Sequence, residues 1–481
     1  YLRNVDYSLV YLSSCPETAY NEFINIFQAG YESSFPQKQV KITKSNSKHE
    51  PWYAKGLLIS SRTKLKLHRT KLRKPTDDNI TKYKTYCNLY NKLIRRSKKN
   101  YLVESLNLYK NDLKNTWKIL NEAMQNKSSS YKLPESFKLN GIYVNDQTSI
   151  ADGFNLYFSN IATDLNSKLH DTAQNPLQFL NRYVQDSFFM DPVTPYDIIS
   201  AASQLKPKVT SGHDNISSKL GKEYINETKE PLTHIFNLSF SSGIVPSQLK
   251  IAKVVPIFKS GDNQEFSNYR PISILPVFSK ILEKLMYKKL FNFIKAKNVL
   301  HENQFGFRPK HSTIHPILHL IKNISVNNDK NTKDSTLAVF LDLSKAFDTI
   351  SHNILLQKLE RYGIRGIGNQ WFHSYLTERV QYVQIDNTTS NTMLIKYGVP
   401  QGSILGPLLF LLYINDFPNS TNLKMLSFAD DTTLYVSGHN LQHIFDLTNN
   451  ELCNIFQWLT CNKLFLNTSK TKYMLFSANQ Q

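Results

Sequence analysis

The sequence predicts an α+β chain, a mixed α/β body preceded by a basic, mostly helical N-terminal region. Three observations carry this. Over residues 52–127, apolar positions recur at helical spacing within a run rich in Lys and Arg. From about residue 191 onward, helical patterns alternate with short β-like runs. Short strands with helices crossing between them suggest a ferredoxin-like sheet.

In chain order, the basic segment comes first. Residues 52–127 hold nineteen Lys or Arg against five Asp or Glu, contributing +14 of the chain's formal +20. Tyr83, Tyr86, Tyr90 and Leu93, then Leu102, Leu106, Tyr109, Leu113, Trp117 and Leu120, form an aromatic and aliphatic stripe. Two readings fit: a solvated helical arm whose rings pack on a neighbour, or a surface that tracks nucleic-acid phosphates. Arg95-Arg96-Ser97-Lys98-Lys99 is similar to a nuclear-localisation run, a pattern common on basic surfaces. Ser128-Ser129-Ser130 marks a boundary. Beyond it, helices are predicted over 231–241, 277–295, 313–324 and 353–362, and strands over 253–258, 337–341, 380–385, 424–428, 433–436 and 472–476.

Composition narrows the function. The excess of 58 Lys plus Arg over 38 Asp plus Glu argues for a polyanionic partner. Cys15, Cys87, Cys453 and Cys461 form no CxxC pair, against a disulfide scaffold or a structural zinc module. The longest nearly apolar stretch, residues 404–414, falls far below the roughly 20 residues of a membrane span. No signal peptide opens the chain, the first residue is Tyr1, and Asn479-Gln480-Gln481 ends it abruptly, so a soluble fragment is expected.

Two segments could carry chemistry. Leu337-Ala338-Val339-Phe340-Leu341-Asp342 is an apolar run closed by a carboxylate, which therefore sits at the rim of the core. Leu426-Ser427-Phe428-Ala429-Asp430-Asp431 places adjacent acids between strand-like flanks, as at a hairpin tip. Adjacent carboxylates repel unless a cation sits between them. Asp342, Asp430 and Asp431 could hold two Mg²⁺ ions about 4 Å apart, which would activate a 3′-hydroxyl and neutralise leaving pyrophosphate. An isolated Asp-Asp, however, is usually ordinary turn chemistry.

Context favours the metal reading. Phe428-Ala429-Asp430-Asp431, with Gly398-Val399-Pro400-Gln401-Gly402-Ser403 and Phe340-Leu341-Asp342-Leu343-Ser344-Lys345-Ala346-Phe347-Asp348, resembles the reverse transcriptases of non-long-terminal-repeat retrotransposons, the jockey-like elements above all. Further blocks occur in the family's order: Val255-Pro256-Ile257-Phe258-Lys259-Ser260-Gly261-Asp262, Asn268-Tyr269-Arg270-Pro271-Ile272-Ser273, Gln304-Phe305-Gly306-Phe307-Arg308, Tyr413-Ile414-Asn415-Asp416 and Asn467-Thr468-Ser469-Lys470-Thr471. The resemblance covers about residues 200–478, and the segment around Pro51-Trp52 and Trp117 is similar to the family's linker.

This resemblance implies a right-hand polymerase, with fingers over 190–335 and a palm with a ferredoxin-like sheet and the start of a thumb over 336–478. A basic helical region over 1–128 and a connecting segment over 129–189 would precede them. It implies an RNA template, a DNA primer, dNTPs and two Mg²⁺ ions, with Mn²⁺ an alternative because hard oxygen ligands suit both. Asp342, Asp430 and Asp431 match the catalytic acids, and the Leu343 carbonyl a further metal ligand. Phe347 matches the steric gate against a ribose 2′-hydroxyl, its alternative being a plain core Phe. Gln401 and Gly402 match the loop against nucleotide and template, where glycine permits close backbone approach. Lys259 and Arg270 match the grip on the triphosphate. Lys470 matches a general acid for pyrophosphate, or else is a simple surface lysine. Arg308 contacts template or braces the fingers.

His311, His315 and His319 recur every four residues, but His311 falls before the helix start and no matching acid accompanies them, so zinc is not expected. Asp348 and Asp416 are expected to bond backbone or a neighbouring base. The resemblance also implies nuclear action after cytoplasmic synthesis, with no membrane. Nothing in the sequence resembles the family's upstream endonuclease, and the thumb is nearly absent. A catalytically silent nucleic-acid-binding remnant is the alternative to an active polymerase.

Overall fold

The computed structural model describes residues 1–36, 50–124, 133–139, 141–167, 175–328 and 334–477. Ser128–Ser130 and the terminal Asn479-Gln480-Gln481 lie outside them. The chain divides into two compact units, Pro36–Pro134 and the remainder, Tyr1–Phe35 with Glu135–Gln481.

The smaller unit is helical, as its sequence pattern predicts. Helices Lys55–Arg73 and Asp77–Leu108 pair, and Leu113–Ala123 follows. Thr76 caps the second helix, its hydroxyl accepting from Asn79 N. The rings of the stripe lie between the paired helices: Tyr53 and Tyr90 share a 2.7 Å hydroxyl contact, and His68 meets Tyr83 at 5.0 Å. Lys64 and Lys71 lie over Tyr90 and Tyr83, each 5.1 Å from the ring centroid. Arg62, Lys66, Arg69 and Arg73, spaced four, three and four residues apart, are exposed on one face of the first helix. Leu93, Tyr109, Leu113 and Trp117 remain exposed, so the stripe packs only in part.

Among the described residues, the larger unit contains every strand: β1 (Phe137–Leu139), β2 (Ile142–Val144), β3 (Ile251–Phe258), β4 (Tyr269–Ile274), β5 (Ser335–Leu341), β6 (Arg379–Ile385), β7 (Thr388–Thr389), β8 (Met393–Ile395), β9 (Lys424–Phe428), β10 (Asp431–Gly438) and β11 (Lys472–Phe476). One sheet has the order β11-β5-β10-β9 and every pairing in it is antiparallel. Helices separate β5 from β9 and β10 from β11, which gives the ferredoxin-like βαββαβ arrangement that the sequence suggests. Central β5 is buried at every position except Phe340, hence its unbroken apolar run.

The second sheet has the order β4-β3-β6-β7, with β8 also on β6. β6 alternates buried and half-buried residues, the period of a strand with one face on a core. Pro256 faces Pro271 on edge strand β4, beyond the last β3 residue paired with β6, so neither proline removes a central ladder bond.

Three expected divisions of the chain and one helix bound change. Tyr1–Phe35 does not belong to the basic region: Phe23 and Phe27 pack edge-on against Phe278 at 5.2 and 5.4 Å in the larger unit. The 129–189 segment is more than a connector, because helix Gln147–Asn166 packs along β6, where Gln381 Nε2 donates to Asn155 Oδ1 at 3.0 Å. Strands β6–β8 fall inside the range expected for the palm yet pair with β3, so the two sheets interleave in sequence. The helix expected over 231–241 begins earlier, at Ile225, with Pro231 inside it. The core of the larger unit surrounds Trp371, Trp458 and helix Gly406–Tyr413.

Candidate active site

The hairpin β9–β10 turns through two residues, Ala429 and Asp430, with Asp431 paired to Phe428. Ala429 has φ +58°, a left-handed conformation that the first position of such a turn demands and that usually selects glycine. β10 pairs β5 with Thr432 opposite Leu341. Carried one residue further, the register brings Asp431 to the strand end where Asp342 follows β5. The three acids thus meet at one end of the sheet. Burial, then the Asp431 and Asp342 carboxylates, push Asp430 above the ordinary carboxylate range, and Arg270 opposes them.

Asp342 is held by the segment before β11. Asn467 donates twice, from Nδ2 to Asp342 Oδ2 and from its backbone to the Asp342 carbonyl, both at 2.8 Å. Leu343 bridges Leu466, but the flanking bonds (Ser344 N to Phe465 O at 2.7 Å and Asn467 N to Asp342 O) do not use the Leu343 carbonyl.

Cations gather beside the acids. Burial, then the charges of Lys470 and Arg270, draw Lys259 below the usual ammonium value, while Asp342 opposes. Burial also lowers Lys345, which Arg270 and Lys470 push down further and Asp348 supports. Lys259, Arg270 and Lys470 therefore lie within electrostatic reach of one another. Lys345 joins them, its backbone at φ +51°.

The Gln401-Gly402 loop lies along β4. Ser273 N donates to Gln401 O at 2.8 Å. Gly402 has φ +128°, and a Cβ there would stand 2.5 Å from Ser273 O, so only glycine fits. Gln401 Nε2 donates to both carboxylate oxygens of Asp348 at 2.8 Å. Burial nevertheless raises Asp348 to about 6, against the pull of Gln401 and Lys345. Glu283, fully buried, accepts from Ile404 N at 2.6 Å and from the Tyr375 hydroxyl at 2.7 Å, anchoring the loop's far end. Half-buried Phe347 stacks on Phe410 at 4.5 Å and meets Phe307 edge-on at 6.1 Å.

Other candidates fall outside this cluster. Arg308 donates to the carbonyls of His301 and Gln304 at 3.1 and 2.9 Å, a bracing contact. His311 precedes helix Ile314–Asn328, and Phe305 lies among the rings of His311, His315 and His319. Asp416 pairs with Lys358 at 2.6 Å, both side chains buried. Among the described residues, no three or more His, Cys, Asp or Glu side chains are grouped so as to hold a metal ion by themselves. No helix among them is long and apolar enough to cross a membrane.

Comparison with known proteins gives the chain's relatives. Residues 257–481 match the family model described as reverse transcriptase (RNA-dependent DNA polymerase). Residues 257–481 are thus similar to reverse transcriptases, a family that generally uses divalent metal ions. The chain is similar to three proteins of Drosophila melanogaster. They are a probable RNA-directed DNA polymerase from transposon BS (30% identity over 59% of this chain and 31% of the relative), the RNA-directed DNA polymerase from mobile element jockey (29%, over 55% and 30%) and a probable RNA-directed DNA polymerase from transposon X-element (27%, over 63% and 34%). The chain spans about a third of the length of each of these relatives.

Proposed function

We propose that the chain is the polymerase portion of a non-long-terminal-repeat retrotransposon protein, extending a DNA primer 3′-end on an RNA template with dNTPs. The observation that carries this is the meeting of Asp342, Asp430 and Asp431 with Lys259, Arg270 and Lys470 at one end of the sheet. Mutually repelling acids beside mutually repelling cations suit a ligand that supplies both signs, a triphosphate with divalent ions.

The donor set fits such ions by chemistry. Carboxylate oxygens of Asp342, Asp430 and Asp431, with the Leu343 carbonyl, are the hard ligands that Mg²⁺ takes, and Mn²⁺ also accepts them. When bound, two divalent ions supply Lewis-acid activation of the 3′-hydroxyl and charge neutralisation at the leaving group. In this reading Lys259 and Arg270 hold the triphosphate, and Lys470 delivers a proton to the departing pyrophosphate oxygen. Phe347, fixed by Phe410, lies beneath the sugar and excludes a 2′-hydroxyl, while Gln401 and Gly402 line the base-pair side. The exposed basic face of the smaller unit supplies further phosphate contacts. Action in the nucleus is part of the proposal and rests on the lifestyle of such elements.

Replacing Asp430 with Asn tests the reading. Synthesis should fall to background while primer–template affinity stays within twofold. Equal loss of both would contradict the site assignment. Tight, salt-sensitive binding by a parent chain that polymerises nothing would favour the silent remnant.

A further inference from the structure

Ala429, ahead of the two acids, sits in a backbone conformation that alanine rarely adopts, so something must hold it there. The adjacent segment does so with one side chain. Gln304, 6% exposed, accepts from Ala429 N through Oε1 at 2.9 Å and donates from Nε2 to Ala429 O at 3.3 Å. The same Oε1 accepts from Gly306 N at 2.9 Å, which fixes the orientation of the amide. Phe305 N donates to Ser427 O at 2.8 Å and Ser427 N to Asn303 O at 2.9 Å, so residues 303–305 run beside β9 as a short parallel bridge. Gly306 presses on the turn: a Cβ there would lie 2.1 Å from Ala429 N. Arg308 closes the segment on itself through the carbonyls of His301 and Gln304.

We propose that Gln304 is a positioning residue that clamps both backbone polar groups of Ala429, holds the turn left-handed, and so sets where Asp430 and Asp431 stand. A side-chain amide suits this task because it offers an acceptor for two N–H groups and a donor for one carbonyl. Glutamate would keep the acceptor, lose the donor and add a charge beside Asp430. Methionine has similar length and makes none of the bonds. The proposal rests on reading the turn as part of the polymerase site.

The test has arms that do not depend on turnover. In the full chain, hydrogen exchange at the Ala429 amide should speed up at least tenfold in Gln304→Met. The Mn²⁺ dissociation constant should rise about fivefold or more. In primer extension, kcat should fall at least tenfold with the dNTP KM and primer–template Kd within twofold. Ala429→Gly, whose glycine adopts positive φ freely, should make Gln304→Met markedly less costly, a coupling that general destabilisation would not give. Where Gln304→Met does not accumulate folded, Gln304→Asn, which withdraws the amide by one methylene, carries the same readouts. Unchanged Ala429 exchange would overturn the proposal, as would faster exchange with unaltered Mn²⁺ affinity and kcat. A parent chain that polymerises nothing contradicts the proposed function, while exchange and Mn²⁺ binding still decide the clamp.

Discussion

The side-chain amide of Asn467 donates to Asp342 Oδ2 at 2.8 Å, and its backbone N–H donates to the carbonyl of the same residue at 2.8 Å. This double contact joins the segment before β11 to the acid that ends β5, and it orients one carboxylate oxygen while leaving the other for a ligand. Partners of this kind are typically worth about 10–100-fold in metal affinity or activity. Asn467→Ala should therefore lower kcat by about that factor and raise the Mg²⁺ concentration needed for half-maximal rate, with primer–template binding unchanged. A Mg²⁺ titration of primer extension checks this.

Asp348 gives a pH dependence. Its carboxyl is raised to about 6, and only the ionised form accepts from Gln401 on both oxygens. The efficiency kcat/KM for dNTP should show an acid limb near pH 6, which Asp348→Asn removes. Stability moves the opposite way. With the folded value above the ordinary 3.8, the neutral carboxyl's contribution is complete below that value and is lost as pH rises through about 6. Asp348→Asn should flatten that decline in urea melts taken between pH 4 and 7.

The Lys358–Asp416 pair is a stability element. Burial lowers the lysine and raises the aspartate, and Lys358 also donates to Tyr413 O at 2.7 Å. Removing one partner leaves a buried charge uncompensated, at a cost of about 3–5 kcal/mol. Asp416→Ala should lose about that much in urea denaturation, and joint replacement by Met at 358 and Leu at 416 should recover most of it. A loss below about 1 kcal/mol for the single change would refute the assignment.

Phe347 is held between Phe410 and Phe307. Phe347→Val should raise ribonucleotide incorporation relative to dNTPs by about tenfold or more, because the removed ring is the one proposed to meet a 2′-hydroxyl. Unchanged discrimination in single-nucleotide kinetics would return Phe347 to the core.

Much of this site was legible in the sequence because strand period and carboxylate position coincide there. The apolar run through Leu341 places Asp342 at a strand end, and Asp430-Asp431 sits where the pattern turns. What was not legible depends on tertiary approach. Gln304 and Asn467 are polar residues within recognisable blocks, yet nothing in their spacing says that one reaches Ala429 and the other Asp342. Glu283 follows helical periodicity like its neighbours, and only packing buries it against Ile404 N. The interleaving of β6–β8 with β3 escaped for the same reason, because strand patterns do not name their partners.

The most direct measurement is primer extension on poly(rA)/oligo(dT) with dTTP and Mg²⁺, comparing the chain with Asp342→Asn while template affinity is measured in parallel. The account predicts synthesis by the parent, none by the variant, and equal affinity for both. Synthesis by both proteins, or by neither when both bind template tightly, would contradict it.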